Sequence, residues 1–105
     1  MAYRVTHKVF SLKNPGKIYQ SCEEFWIDHG EEDVEVDAIL DALEDQGKLI
    51  ENADELSEDG TYVIYTKTFD SEETYDQYIS NNSQIIDDNN YTYDMVPIFK
   101  GNVDI

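Results

Sequence analysis

Residues 21–60 carry sixteen acidic side chains and one lysine, Lys48, a net charge of −15 on forty residues. Any fold of this chain must leave those like charges in solvent, so the segment can give a core only thin apolar stripes. The first twenty residues are the opposite, with Arg4, Lys8, Lys13 and Lys17 and no acid. Residues 61–105 carry −6, and the 105-residue chain as a whole −17. With 40% hydrophobic and 12% aromatic residues, enough apolar surface remains for one small core, so residues 1–105 read as a single domain.

The charge distribution narrows the partners. A protein that grips phosphates needs a basic face from which counterions are released. Here only one short N-terminal stretch is basic, which argues against direct nucleic-acid binding and against an anionic membrane surface. A basic protein surface is the expected partner. No run approaches the roughly 20 apolar residues of a membrane span, and no basic, then apolar, leader is present. The expectation is a soluble, cytoplasmic protein, in the host cytoplasm if the chain is viral. Cys22 is the one cysteine, so an internal disulfide and a multi-cysteine metal site are both excluded.

Hydrophobic periodicity gives the elements. Residues 2–10 alternate, with Tyr3, Val5, His7 and Val9 on one face and Arg4, Thr6 and Lys8 on the other, which predicts a half-buried strand. Asn14-Pro15-Gly16 predicts a turn, and Lys17–Gln20 a short strand pairing back on the first. Ser21-Cys22-Glu23-Glu24 reads as a capping box opening a short helix that stops at Gly30, although a strand through Phe25–Ile27 fits as well. Val36, Ile39, Leu40 and Leu43 stand at i, i+3, i+4 and i+7, predicting a helix over about 35–46 with Gly47 as its stop. A strand follows near 48–52, then a polar loop to Gly60. Thr61–Phe69 is rich in β-branched and aromatic residues and predicts a strand. Asp70 is expected to cap a helix over 71–80 with Glu73 at its third position. Ser83–Asn90 reads as a polar turn. A last strand at 91–99 contains Pro97, which places it at a sheet edge, and the tail beyond Gly101 is expected to be loose. Ile39, Leu40, Leu43, Val63 or Ile64, and Tyr75 are expected in one core.

The resulting class is α+β: a small antiparallel sheet of about four strands with two main helices on one face, ferredoxin-like. Tyr62–Phe69 followed by Asp70-Ser71-Glu72-Glu73-Thr74-Tyr75-Asp76-Gln77-Tyr78 resembles dimeric α+β barrel proteins of the antibiotic-biosynthesis-monooxygenase type. In that family a strand leads through a Ser-Glu-Glu turn into an aromatic-bearing helix. The resemblance spans residues 34–99 and implies the fold and a homodimer. No catalytic residue of the family can be placed on this sequence. A pocket under that reading would be lined by residues such as Tyr62, Ile64 and Tyr93.

Chemistry-bearing constellations are sparse. His7 and His29 lack ligand spacing, and Cys22 adds too little for zinc. His7 reads as a packed or interfacial strand residue. Glu55–Gly60 ends in Asp-Gly like a calcium loop but has no acid at the first position and Thr66 where the bidentate Glu belongs. No catalytic residue, metal site or cofactor is assigned. What remains is the acidic run. Asp33, Glu35, Asp37, Asp41, Glu44 and Asp45 place six acids on 13 residues. On a helix that is about one charge per 3.3 Å, against a phosphate about every 3.4 Å of one DNA strand. In character this resembles small acidic phage proteins that mimic DNA and block nucleic-acid-binding proteins. The candidate partner-binding face comprises Glu31, Glu32, Asp33, Glu35, Asp37, Asp41, Glu44, Asp45, Glu51, Asp54, Glu55, Glu58 and Asp59. The functional expectation is a non-enzymatic inhibitor presenting these carboxylates to a basic, nucleic-acid-handling protein. The alternatives are a homodimeric barrel that binds or converts a small molecule, and a structural subunit of a larger, viral assembly. A solvated helix face and halophilic adaptation explain the same charge without a partner.

Overall fold

The computed structural model describes residues 1–29, 34–82 and 92–104, with the side chains of residues 34–36 set aside. Strand β1 (Ala2–Ser11) is followed by helices α1 (Cys22–Asp28) and α2 (Val34–Asp45), then strands β2 (Leu49–Leu56) and β3 (Tyr62–Phe69), helix α3 (Glu72–Asn81) and strand β4 (Tyr93–Val103). The sheet runs β2-β3-β1-β4, and every neighbouring pair is antiparallel. β1 and β2 flank β3, and β3 and β4 flank β1. Two split β-α-β units are thus interleaved, the α+β arrangement of a ferredoxin-like sheet.

Register decides what each face carries. Tyr3, Val5, His7 and Val9 lie opposite Phe69, Lys67, Tyr65 and Val63. These residues point to the side that the helices cover. Arg4, Thr6 and Lys8 lie opposite Thr68, Thr66 and Ile64 on the open side. The helix-covered side holds two apolar clusters. Val9, Tyr19, Phe25 and Val63 form one beneath α1, with Trp26, Tyr93 and Met95 packed against it. Leu40, Leu49, Phe69 and Tyr78 form the other beneath α2 and α3, with Ile39, Leu43 and Tyr75 at its margin. The expected single core is therefore divided: Val63 belongs with α1, while Leu40 and Tyr75 sit at the other end of the sheet. The cause is the third helix. Once α1 forms, Phe25 covers its own end of the sheet, and the thin stripe of α2 reaches only the Leu49–Phe69 end.

Local signals account for the helix ends. Ser21 caps α1, its hydroxyl accepting from the Glu24 N–H at 3.1 Å. The Glu24 carboxylate reaches back to the Gln20 N–H at 3.2 Å, so the helix reading of this segment holds. α2 stops at Gly47, whose φ of +73° lets the Lys48 N–H turn back to the Leu43 carbonyl at 2.8 Å. The cap of α3 is Ser71, one residue later than expected, with its hydroxyl accepting from the Thr74 N–H. Asp70 instead accepts from the Thr74 hydroxyl.

Three boundaries differ from the sequence reading. Lys17–Gln20 forms no strand. Its backbone turns through Lys17 N–H to Asn14 carbonyl, and the Tyr19 N–H bonds the Gly60 carbonyl at 2.7 Å, so the tyrosine ring plugs the core. β2 continues to Leu56 through residues expected in a loop, because pairing with β3 as far as Leu56–Val63 satisfies its backbone while its acidic side chains stay exposed at the sheet edge. The tail is tied down as far as Val103, which pairs with Ala2. Pro97 lies on the edge strand β4 opposite His7, where the register shifts between Thr6 and His7, as expected for a proline in a sheet. Gly30 and the expected turn at 83–90 fall outside the described residues.

Candidate functional site

Acids gather on one flank. α2 packs on edge strand β2. Asp37, Asp41, Glu44 and Asp45 form one stripe along α2, about a third of a turn away from Ile39, Leu40 and Leu43. All four are exposed, as are Glu51, Asp54 and Glu55 on β2 and Glu58 and Asp59 in the turn beyond it. The register spreads the β2 acids over both faces: Asp54 lies on the helix-covered face, Glu51 and Glu55 on the open face, and Glu58 and Asp59 beyond Leu56, at the far end of β2 from the Leu49 end that α2 covers. Glu31, Glu32 and Asp33 lie outside the described residues, as does the side chain of Glu35.

The members of this flank are not equivalent. Glu51 is bridged by Arg4 at 3.3 Å and accepts from Thr68 at 2.9 Å, on the open sheet face. Asp54 accepts from the Trp26 indole N–H at 2.8 Å and so ties β2 to α1. Asp59 accepts from the Thr61 hydroxyl and N–H and from Ser57, and these bonds hold its carboxyl below the ordinary range. Its Oδ1 closes the β2–β3 turn, which is the work the Asp-Gly sequence does here. Asp41, Glu44, Asp45, Glu55 and Glu58 make no ion pair among the described residues.

The basic N-terminal segment is largely committed elsewhere. Asp28 receives the Tyr19 hydroxyl at 2.5 Å, the Asn14 amide at 2.9 Å and Lys17 at 3.4 Å, with Lys13 at 3.9 Å. The Tyr19 bond above all, then Asn14 and Lys17, holds the Asp28 carboxyl down at about 2. This knot fastens residues 13–19 to α1.

His29 is buried, its ring stacked on Phe25 with centroids 4.2 Å apart. Its Nδ1 donates to the Phe25 carbonyl at 2.6 Å, and Nε2 meets the Ser11 hydroxyl at 2.7 Å. That is the spacing of a nucleophile and its base. Ser11 is only 6% exposed and also accepts the Asn14 N–H, so the pair is a structural buttress that no substrate reaches. Sequence spacing carries no sign of it, since eighteen residues separate the two.

No family model matches the chain, and no curated protein matches it significantly. Tyr62 and Ile64 lie on the open sheet face and Tyr93 among the α1 contacts, so these three do not line one pocket. Among the described residues no group of three His, Cys, Asp or Glu side chains is placed to hold a metal ion. Among them, too, no helix is long and apolar enough to cross a membrane.

Between the two apolar clusters a polar belt crosses the helix-covered face of the sheet. One row reads Asn52, Lys67, Val5, Lys100 across the four strands, and the next Asp54, Tyr65, His7, Pro97. Burial is the main cause that pulls the His7 imidazole down to about 4, with the charges of Lys67 and Lys100 adding to it. The folded value lies below the unfolded 6.5. The stability His7 confers is therefore complete above pH 6.5 and is lost as pH falls toward 4. In urea titrations, the stability of the wild type relative to His7→Gln should drop by about 1–3 kcal/mol between pH 6.5 and 4, allowing for solvent screening. A flat difference would show the imidazole to be solvated. Alternation predicts strand and face for each belt residue, but only the pairing register aligns them.

Proposed function

We propose that the chain is a non-enzymatic acidic binding protein that inhibits a basic, nucleic-acid-binding protein by occupying its phosphate-binding surface. The observation that carries this reading is the stripe of exposed carboxylates Asp37, Asp41, Glu44 and Asp45 along α2, which packs on the acidic edge strand β2. Holding so many like charges together costs stability, and a basic partner offsets that cost on binding. The acids of β2 also guard an unpaired sheet edge against pairing with other chains, which accounts for some of them without a partner.

The test uses a basic DNA-binding protein from the native host that the wild-type chain captures at low salt and that DNA displaces in competition. Replacing Asp37, Asp41 and Asp45 by Asn and Glu44 by Gln keeps shape and removes four charges. Affinity should fall roughly ten- to a hundred-fold at low salt, at about 0.5 kcal/mol per exposed pair, and its salt dependence should flatten. Circular dichroism should be unchanged. Equal affinity of the two proteins at every salt concentration would reduce the charge to a solvated coat.

The second reading is a homodimeric barrel. It is favoured by the open sheet face, where Phe99 and Val96 are 45% and 40% exposed. Light scattering at increasing concentration separates the two, since the first reading requires only a monomer.

A further inference from the structure

From the charge pattern of the open sheet face we infer that this face binds a second copy of the chain about a two-fold axis along β3, which sets Glu55 of each copy against Lys8 of the other and Glu51 against Arg4. The inference rests on the homodimeric reading above and adds the pairing that holds the two copies. Read across β2, β3 and β1, one row of the open face is Glu51, Thr68, Arg4. Another is Glu55, Ile64, Lys8. The row between them, Ala53, Thr66, Thr6, has no charge. On this face β2 is thus an acidic stripe, β1 a basic one, and β3 neutral between them. A half-turn about an axis parallel to β3 and above it carries β1 of one copy over β2 of the other and keeps every row level. Each acid then faces a base, and by symmetry each contact occurs twice. β4 overhangs the edge of β2 in the other copy, where its exposed Val96 and Phe99 gain cover.

The two charged rows differ inside one copy. Arg4 reaches across β3 to Glu51 at 3.3 Å. Lys8 and Glu55 make no ion pair among the described residues, and the Lys8 Nζ lies instead 4.3 Å above the Tyr62 ring centre. Face-to-face pairing gives both of them an opposite charge. The same pattern rejects the other aligned arrangement. An axis running across the strands would lay β2 on β2 and stack acid on acid. Arg4 and Lys8 balance Glu51 and Glu55, so the rest of the charge of −17 lies outside these rows. At physiological ionic strength, charges more than about 8 Å apart are largely screened. Four strands paired over eight residues span roughly 500 Å² of projected face per copy. That is near the lower limit of a specific interface, so the dimer should be reversible and concentration-dependent. α2 and its acids lie on the other side of the sheet, so pairing leaves them open to a basic partner.

The test is sedimentation equilibrium of the whole chain over a concentration series at about 0.15 M salt. The wild type should form a dimer whose share rises with concentration. Glu55→Lys lowers the net negative charge of each copy, so general repulsion falls and, without the proposed contact, the dimer would strengthen. It should instead weaken about ten-fold, because two lysines then face Lys8 of the opposite copy. Lys8→Glu should weaken it as well. The double variant, Glu55→Lys with Lys8→Glu, restores opposite charges and the original net charge, and should return to within about three-fold of the wild type. Glu44→Lys, on α2, makes the same charge change as Glu55→Lys away from the face and should not weaken the dimer. Circular dichroism should match the wild type in every variant. A wild type that stays monomeric at every concentration overturns the inference and the homodimeric reading together. A dimer that Glu55→Lys does not weaken, or that the double variant does not restore, overturns the pairing alone and leaves that reading standing.

Discussion

Phe69→Ala will destabilise the protein by about 3–5 kcal/mol, the range for emptying a fully buried aromatic position. Phe69 is 0% exposed and ends β3 in the middle of the cluster beneath α2 and α3. Its ring centre lies 5.4 Å from that of Tyr75 and 5.5 Å from that of Tyr78, and its strand neighbours are Tyr3 and Leu49. Truncation removes the floor on which both helices rest. A domain of this length has roughly 5–15 kcal/mol of total stability, so the loss is a large fraction of the whole. The check is the urea midpoint at unchanged slope. Ile27→Ala, at a position 65% exposed, is the control and should shift stability by less than about 0.5 kcal/mol. A Phe69 variant that behaves like the control would mean that α2 and α3 do not depend on this end of the sheet.

Gly60→Ala carries the second large effect. Gly60 closes the β2–β3 turn with φ +75°, and a Cβ there would lie 2.5 Å from the Tyr19 carbonyl oxygen and 3.0 Å from an Ile18 methyl. The same glycine accepts the Tyr19 N–H through its own carbonyl. Alanine therefore meets both a disfavoured backbone conformation and a backbone atom that cannot swing aside. The expected cost is roughly 3–5 kcal/mol, combining the left-handed strain with overpacking. Gly47→Ala separates the two contributions. Gly47 has φ +73° with nothing within 4 Å of its Cβ position, so only the strain of about 1–2 kcal/mol applies. Equal losses at both positions would show that the Tyr19 loop gives way and that its bond to Gly60 does not anchor the α1 end of the core.

Much of this architecture is legible in residue order. Alternation in residues 2–10 and β-branched residues in 61–69 specify the two central strands. The i, i+3, i+4, i+7 stripe specifies α2. The Ser21 box points to the start of α1, because a hydroxyl and a carboxylate three residues apart satisfy backbone N–H groups locally, but Phe25–Ile27 fit a strand as well and the structure decides for the helix. The acidic segment is legible too, since charge requires no tertiary information to be counted. The β2 boundary was misread because an edge strand is held by its backbone pairing with β3 and leaves its side chains free to be polar, so composition alone marks it as loop. The cap falls at Ser71, one residue beyond Asp70, and residue order does not separate the two because both side chains are competent acceptors.

The sequence by itself determined the α+β class, the central strands, the principal helix and the sign of the charge on each segment, because these follow from periodicities and side-chain types a few residues apart. Long-range packing sets the division of the core in two, the seating of α2 on the acidic edge strand β2, and the belt shared by Lys67, Lys100 and His7. Those facts join residues tens of positions apart. They depend on the strand order and pairing register, which are set by the packing of the whole sheet at once.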